Sequence, residues 1–220
     1  MDIFFSLAFT ILFSYLLGSL NSAIIVCRVL KKKDIRDYGS NNAGLTNVLR
    51  VFGKGPALAT LLCDLAKGVL AVVICRLVVT HGFGVTFFND DKFVGYAAGL
   101  FVMLGHIFPV FYGFHGGKGV LIAATTLIAI DPLTCFFSVS VFAVVLICTK
   151  YVSVGSICAA VSYPVFTLLV QSFFIKSDGV LANTIMASAI CVLIIYMHRP
   201  NIKRLLNGTE NKFGSKKKSE

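Results

Sequence analysis

Seven apolar segments recur along almost the whole chain, and they limit its fold more than any other feature. A helix needs about 20 mostly apolar residues to cross a bilayer, and six of the segments approach or exceed that length. The fourth, with about fourteen residues, predicts a short or tilted span. The segments are approximately 3–26, 56–80, 93–111, 118–131, 133–149, 154–175 and 180–197. The sequence therefore predicts an all-α, polytopic membrane helical bundle with seven transmembrane helices, forming a single domain over residues 1–220.

The composition supports a membrane protein over a soluble one. Only 14% of the 220 residues are charged and 57% are hydrophobic, whereas a soluble domain has about 25% charged residues. The first segment starts with Asp2 and has no basic n-region, which favours a retained span over a cleaved signal peptide. Seven cysteines occur without any CxxC spacing, so they are read as small apolar residues and not as zinc ligands.

Lysine and arginine are distributed unevenly between the two ends of the predicted spans. If the segments alternate in direction, one face carries the polar loop 27–55, two later turns and everything from about residue 198 onward, including the polar tail 208–220, with 16 of the 20 basic residues. The positive-inside rule assigns this face to the cytoplasm, which places the N-terminus outside and the C-terminus in the cytoplasm. The same rule explains the net charge of +10 more simply than nucleic-acid binding does, so we predict membrane lipid and no nucleic acid as a partner. The end of the tail, "GSKKKSE", is predicted to be disordered.

The first polar stretch on this face, "YGSNNAGLTNVLR", is dense in hydrogen-bond donors. Glycines permit turns that direct several backbone N–H groups at one anion, and arginine can hold a phosphate in a bidentate way. The alternative is a polar loop whose side chains cap short helices. Its candidate residues are Gly39, Ser40, Asn41, Asn42, Gly44, Thr46, Asn47 and Arg50.

The second polar stretch, "GHIFPVFYGFHGGKGV", carries Lys118 between Gly116–Gly117 and Gly119. Lys118 stands at the predicted start of the fourth helix, where it opposes the helix dipole unless an anion binds there. The alternative is a lysine that snorkels to the membrane edge. A Walker A loop is excluded, because it needs glycine at position 112 and Ser or Thr at position 119.

Other polar residues are assigned with less specific signals. Asp64 and Lys67 have i, i+3 spacing and are read as a structural ion pair more readily than as catalytic groups. His106 and His115 are read as structural histidines. His198 and Asn201 would share one side of a continuing helix, which Pro200 puts in question. No His-x4-Asp, GxSxG or metal-ligand cluster occurs, so we expect no metal and no cofactor.

Together these stretches resemble the bacterial acyl-phosphate:glycerol-3-phosphate acyltransferase family, PlsY. "GSNNAGLTNVLR" is similar to the family's G-S-G-N-x-G-A-T-N-V-x-R, and "HIFPVFYGFHGGKGV" to H-x-F-P-x-F-x-x-F-K-G-G-K-G-V. "LLCDLAKG", "YVSVGSI" and "HRPNIKRLLNGTE" also look like family stretches, so the resemblance covers essentially the whole chain in order. The departures are Asn41, Leu45 and His115, where Gly, Ala and Lys are usual.

The resemblance implies a seven-span enzyme of the bacterial plasma (inner) membrane with its site on the cytoplasmic face. It would transfer a fatty acyl group from acyl-phosphate to the 1-hydroxyl of glycerol 3-phosphate, giving lysophosphatidic acid for phospholipid synthesis. A further partner would be the enzyme that produces the acyl-phosphate. By resemblance the functional positions are Ser40, Arg50, Lys118, His198 and Asn201, with the neighbouring Gly39, Asn42, Gly44, Thr46, Asn47, Gly116, Gly117 and Gly119 as substrate-binding residues.

Two readings from other classes stay open. A transporter for a phosphorylated solute would also need a cationic site. Such proteins, however, often have broken helices that place the polar groups near the midplane of the bilayer. Here the polar residues concentrate on one face, which favours an interfacial enzyme. A structural membrane scaffold is the third reading.

Overall fold

A computed structural model describes residues 1–214, and every regular element it contains is helical. The prediction of an all-α fold is thereby confirmed. The α-helices in this part of the chain are α1 (Asp2–Ser19), α2 (Ser22–Lys31), α3 (Leu45–Phe52), α4 (Lys54–Leu77), α5 (Lys92–Ile107), α6 (Val120–Ile130), α7 (Pro132–Thr149), α8 (Val152–Leu169), α9 (Val180–Met197) and α10 (Arg199–Leu206).

Six helical stretches among the described residues are long and apolar enough to cross a membrane. They correspond to six of the seven predicted segments and are Asp2–Lys31, Lys54–Gly82, Lys92–Tyr112, Pro132–Thr149, Val152–Ile175 and Val180–Met197. Helix α6, with 11 residues, is apolar but shorter than these. A seventh crossing therefore stays a prediction. The predicted disorder of the tail falls mostly on residues 215–220, outside the described residues.

The first predicted span is divided into two helices. Helix α1 ends at Ser19, and the buried side chain of Asn21 accepts a hydrogen bond from the N–H of Ile24 (3.2 Å) to cap α2. Hydropathy does not record this break, because apolar residues continue across it. The connection predicted over 27–55 also contains regular structure, since α2 runs to Lys31 and α3 begins at Leu45.

The chain divides into two compact units, Met1–Pro132 and Leu133 onward. In the first unit α1, α4, α5 and α6 pack together, and the short helices α2 and α3 lie against α4. Close approach of α1 and α5 depends on two glycines. A Cβ added at Gly18 would collide with the carbonyl oxygen of Val102, and one added at Gly105 would collide with that of Tyr15.

The segment between α2 and α3 is anchored by its own small core. Ile35, Ala43 and Val48 are fully buried against α2 and the start of α4. Because these apolar anchors alternate with polar residues, the chain between them is fixed while Ser40 and Asn41 stay exposed.

The second unit consists of the long helices α7, α8 and α9 followed by α10. The rings of Phe137 and Phe166 stack at 5.2 Å between α7 and α8. Just beyond the end of α8, the buried Gln171 accepts through Oε1 from the side-chain amide of Asn183 on α9 over 2.9 Å, and this bond lowers the cost of burying the two side chains. Pro200 falls in the first turn of α10, where a missing N–H is tolerated, so the helix continues past it.

Candidate active site

Arg36, two residues before the first polar stretch, ties this part of the chain to the second stretch. Arg36 donates through Nη1 to the carbonyl of Tyr112 (2.7 Å), and it pairs through Nη2 with Asp34 (2.8 Å). Arg28 pairs with the same carboxylate at 2.7 Å. The hydrogen bonds from Arg36, with those from Arg28, hold the pKa of Asp34 well below its usual range. Asp34 is therefore ionised at neutral pH and fixes Arg36 across both stretches.

Asn47 holds the first stretch in shape. Its side chain is buried, its Oδ1 accepts from the N–H of Ser40 (3.0 Å), and its Nδ2 donates to the carbonyls of Tyr38 (2.9 Å) and Asn42 (3.1 Å). One side-chain amide thus bonds to the backbone at Ser40 and on both sides of it, and holds the loop in its conformation. Asn47 was predicted to bind substrate, and that role stays a prediction. The structure adds an internal role that the sequence did not reveal.

Two residues of this loop have left-handed backbone conformations. Gly39 has φ +64°, and a Cβ there would also collide with Asn47 Oδ1. Asn41 has φ +58° and donates its side chain to the carbonyl of Arg36 (2.7 Å). Asparagine tolerates this conformation better than most residues do. This explains how Asn41 can occupy a position where the family that the sequence resembles usually has glycine.

The second stretch forms a tight turn on the end of α5. The N–H of Gly116 donates to the carbonyl of Ile107 (3.0 Å) and the N–H of Gly117 to that of His106 (3.1 Å). The N–H of Ala43 donates to the carbonyl of Gly116 (3.4 Å), so the first loop rests on this turn. The two stretches that the sequence singled out are therefore in contact within the first unit.

Lys118 lies in the connection between this turn and α6. It is half-buried, and α6 begins two residues later at Val120, with Gly119 (φ +81°) as its N-cap. Lys118 therefore precedes the helix that it was predicted to start. A Cβ at Gly119 would meet the side chain of Met103, so only glycine fits between Lys118 and the helix without a shift.

The remaining predicted residues of the first unit surround this contact. Gly44 is the N-cap of α3 and Thr46 is exposed in its first turn. Arg50 is exposed in the last turn of α3 and belongs to none of the ion pairs among the described residues. An exposed guanidinium without an acidic partner can bind an external anion. His115 is exposed, and its Nδ1 donates to the carbonyl of Gly113 at 2.5 Å.

A buried polar cluster lies beneath the glycine turn. Lys67 Nζ is 2.9 Å from Asp64 Oδ1, which confirms the predicted pair, and 3.1 Å from His106 Nδ1. The side chains of Asp64, Lys67 and His106 are 2%, 6% and 5% exposed, so the charges are shielded from water. The sequence did not connect His106 to this pair, because the contact joins α4 and α5.

In the second unit, Glu210 gathers three donors from α8 and α10. It accepts from Asn201 Nδ2 (2.7 Å), from Ser153 Oγ (3.0 Å) and from Arg204 Nε (2.6 Å). Burial alone would raise the pKa of Glu210, but these hydrogen bonds outweigh it and the pKa is lowered. Glu210 was not among the predicted site residues. Its position as an acid among the basic residues near the C-terminus was the one sequence feature that could have indicated its structural role.

His198 stands at the junction of α9 and α10. It is buried, and its Nδ1 donates to the carbonyl of Ile194 over 2.7 Å. In a neutral imidazole this leaves Nε2 without a proton, as a base requires. The N–H of Ile202 donates to the carbonyl of His198 (2.9 Å), so the helical path continues to Asn201.

These features define a class of protein before any comparison is made. Among residues 1–214 no group of three or more metal-ligating side chains occurs. The first unit instead offers two cationic side chains beside its glycine-rich turns, Lys118 and Arg50, and such side chains bind phosphate. The chain is thus a multi-pass helical membrane protein whose first unit carries cationic side chains of the kind that bind anions, next to turns at helix ends.

Comparison with known proteins identifies the family. The sequence profile of glycerol-3-phosphate acyltransferase matches residues 8–208. Glycerol-3-phosphate acyltransferases of Shouchella clausii (strain KSM-K16) and Clostridioides difficile (strain 630) are 42% and 41% identical, covering 96% and 93% of this chain and 98% and 94% of the relatives. The chain belongs to the PlsY family of glycerol-3-phosphate acyltransferases.

Solved structures agree with this assignment. The glycerol 3-phosphate form of PlsY (YgiH), an integral membrane glycerol 3-phosphate acyltransferase, superposes with a TM-score of 0.79 at 38% identity, covering 95% of this chain and 96% of that chain. Its lysophosphatidic acid form gives 0.77 at 36% identity, with the same coverage. These comparisons confirm the predicted family and the prediction of a multi-pass membrane protein.

Proposed function

We propose that this protein transfers a fatty acyl group from acyl-phosphate to the 1-hydroxyl of glycerol 3-phosphate, at the cytoplasmic face of a bacterial plasma membrane. The products are lysophosphatidic acid and inorganic phosphate. The family supports the acceptor, and the two solved relatives, one in a glycerol 3-phosphate form and one in a lysophosphatidic acid form, correspond to the acceptor and product of this reaction.

The observation that carries the proposal is the contact between the two donor-rich stretches. The N–H of Ala43 bonds to Gly116, and Arg36, two residues before the first stretch, bonds to Tyr112, so Arg50 and Lys118 belong to one connected part of the first unit. Both substrates carry a phosphate, and a site for them must hold two anions near each other. Amides and cations do this without a metal ion.

In the proposed reaction the acceptor oxygen attacks the acyl carbonyl directly. The new C–O ester bond forms, the bond from the acyl carbon to the phosphate oxygen breaks, and phosphate leaves with that electron pair. Because phosphate is a good leaving group, no covalent enzyme intermediate is needed. Proximity supplies much of the rate, and Lys118, Arg50 and backbone N–H groups stabilise the developing negative charge. Ser40 contributes a hydrogen bond to substrate.

The hydroxyl proton goes to His198 Nε2 or to a substrate phosphate oxygen. The bond from His198 Nδ1 to Ile194 supports the first route, because it leaves Nε2 as the basic nitrogen of the neutral ring. Asn201 is held by Glu210, which accepts from its side-chain amide over 2.7 Å. The roles of His198 and Asn201 rest on the similarity of their stretch to the family.

The test uses purified protein in detergent micelles with labelled glycerol 3-phosphate. Palmitoyl-phosphate and palmitoyl-CoA are offered in parallel, and lysophosphatidic acid is quantified. We expect product from palmitoyl-phosphate only. Lys118→Ala and Arg50→Ala should each lower turnover by about 10²-fold, as loss of one charge-stabilising donor does in other enzymes.

Lys92→Ala is the matched control, because Lys92 donates only to the carbonyl of Ile130 among the contacts found for its ammonium group, away from the two stretches. It should keep normal turnover. Absence of lysophosphatidic acid with palmitoyl-phosphate contradicts the proposed reaction. Equal turnover with palmitoyl-CoA contradicts the proposed donor, and normal turnover of Lys118→Ala contradicts the site.

A further inference from the structure

Lys67 is a buried cation with three oxygen or nitrogen atoms close to its ammonium group. Its Nζ lies 2.9 Å from Asp64 Oδ1, 3.1 Å from His106 Nδ1 and 3.2 Å from the carbonyl oxygen of Leu20. The first contact is an ion pair and the other two are hydrogen bonds, in which an ammonium can only donate. Lys67 on α4 thus connects the end of α1 with α5.

The direction of these bonds fixes the state of His106. Because the ammonium of Lys67 can only donate, His106 Nδ1 must accept, and a neutral ring then carries its proton on Nε2. Asn21 donates to the carbonyl of His106 at 3.4 Å, which restrains the backbone of the same residue. The imidazole of His106 is therefore held from α4, and its backbone from the start of α2.

The other edge of the imidazole supports the glycine turn. A Cβ at Gly117 would collide with His106 Nε2 and would lie 2.8 Å from the carbonyl oxygen of Ala43. The N–H of Gly117 donates to the carbonyl of His106. The imidazole therefore packs closely against Gly117, which is bonded directly to Lys118.

We propose that Lys67, charge-balanced by Asp64, is a positioning residue for acyl transfer: it orients His106, and His106 sets the place of the turn that carries Lys118. The inference rests on the proposed function. Lys67 does not contact substrate. It acts through the imidazole, and a displacement of about 1 Å at a reacting group can cost on the order of 10²-fold in rate.

If the pair of Asp64 and Lys67 only stabilised the fold, a different result would be expected. Replacing both partners of a buried pair by uncharged residues is often neutral for stability, because the desolvation penalty is removed together with the attraction. If Lys67 only stabilised the fold, the double variant Asp64→Asn with Lys67→Met would keep wild-type kinetic constants. The proposal expects the double variant to be as impaired as Lys67→Met.

The first experiment compares kinetic constants of folded, purified variants with palmitoyl-phosphate and glycerol 3-phosphate. Lys67→Met should lower kcat at least tenfold and raise KM for a phosphate-bearing substrate, while Lys92→Met, the same change on α5 away from the turn, stays within twofold. His106→Asn keeps an acceptor near the Nδ1 position for Lys67 and should retain at least fivefold more activity than His106→Leu. If Lys67→Met does not fold, the activities of the two His106 variants decide between the positioning role and a purely structural role.

The second readout is the tautomer of His106, measured by NMR on protein labelled with ¹⁵N-histidine and assigned with His106→Asn. We expect the Nε2–H form in the wild type and loss of that preference in Lys67→Met. Wild-type kinetic constants in Lys67→Met, equal activity of His106→Asn and His106→Leu, or a wild-type Nδ1–H form would each overturn the proposal. If the wild type makes no lysophosphatidic acid, the proposed function fails, while the tautomer still tests the link between Lys67 and His106.

Discussion

Among single residues, Gly117 leaves little room for change in the candidate site. A methyl group there would collide with His106 Nε2 and crowd Ala43, and neither neighbour is the free end of a flexible chain. We therefore expect Gly117→Ala to displace the turn and to lower acyl transfer from palmitoyl-phosphate by at least tenfold. Initial rates at saturating substrate measure the effect.

Gly55→Ala is the control for this substitution. Gly55 lies in the first turn of α4, is exposed, and has no atom within 4 Å of an added Cβ. Alanine is favoured over glycine in a helix by roughly 0.8–1.0 kcal/mol, so this variant should be fully active and no less stable. Equal activities of the two variants would show that the turn accommodates a side chain, against the geometry described above.

How far single residues could be predicted from the sequence depends on where their partners lie. Lys118 and Arg50 were selected because donors and glycines are dense around them in the sequence. The internal role of Asn47 was missed, because its acceptors are backbone carbonyls of a loop whose path no pattern specifies. Glu210 was missed for a similar reason, since Ser153 is 57 residues away along the chain.

Among the elements, α8 and α10 are tied together by one carboxylate. The Glu210 side chain is 7% exposed and accepts from Ser153, Asn201 and Arg204. In Glu210→Gln, an amide N–H₂ must replace one acceptor oxygen and face one of these donors. Leaving buried groups without partners costs about 1–3 kcal/mol, so the thermal unfolding midpoint at pH 7 should fall.

The pH dependence of that effect has a definite sign. Because the folded state lowers the pKa of Glu210 below its ordinary 4.5, the stabilisation is complete above that pH and is lost as the pH falls through the folded value. The difference in midpoint between wild type and Glu210→Gln should therefore be largest near pH 7 and shrink below pH 4.5. Asp37→Asn, which changes an exposed acid, is the control and should track the wild type. A difference that stays constant or grows in acid would contradict the assigned hydrogen bonds.

Hydropathy was sufficient to predict which parts of the chain form membrane-spanning helices, but it did not predict where those helices begin and end. Six predicted segments reappear as candidate spans because a bilayer imposes both length and apolarity on a helix. The division at Leu20–Asn21 escaped prediction, because it depends on a side-chain cap and on the bond from Lys67 to the Leu20 carbonyl. Such contacts come from another helix and leave no periodic signal in the first one.

For the whole molecule, the open question is whether α6 crosses the membrane. Its 11 residues extend about 16 Å at 1.5 Å per residue, against a hydrocarbon core of about 30 Å. A crossing here requires flanking residues or local thinning to complete the distance. Charge argues for it: only an odd number of crossings places the basic loop 27–55 and the basic tail on the same side.

Cysteine labelling decides both the number of crossings and the orientation. The seven cysteines of the described residues are free, so a cysteine-less background loses no disulfide. Single cysteines are then placed at the exposed positions Thr86, Asp178 and Asn211 and treated with a membrane-impermeant maleimide on intact spheroplasts. Seven crossings with the N-terminus outside predict labelling at 86 and 178, with 211 labelled only after permeabilisation. Six crossings with the N-terminus outside would label 86 and 211 and protect 178, and six with the N-terminus inside would label only 178. An inverted seven-span protein would expose 211 while protecting both 86 and 178.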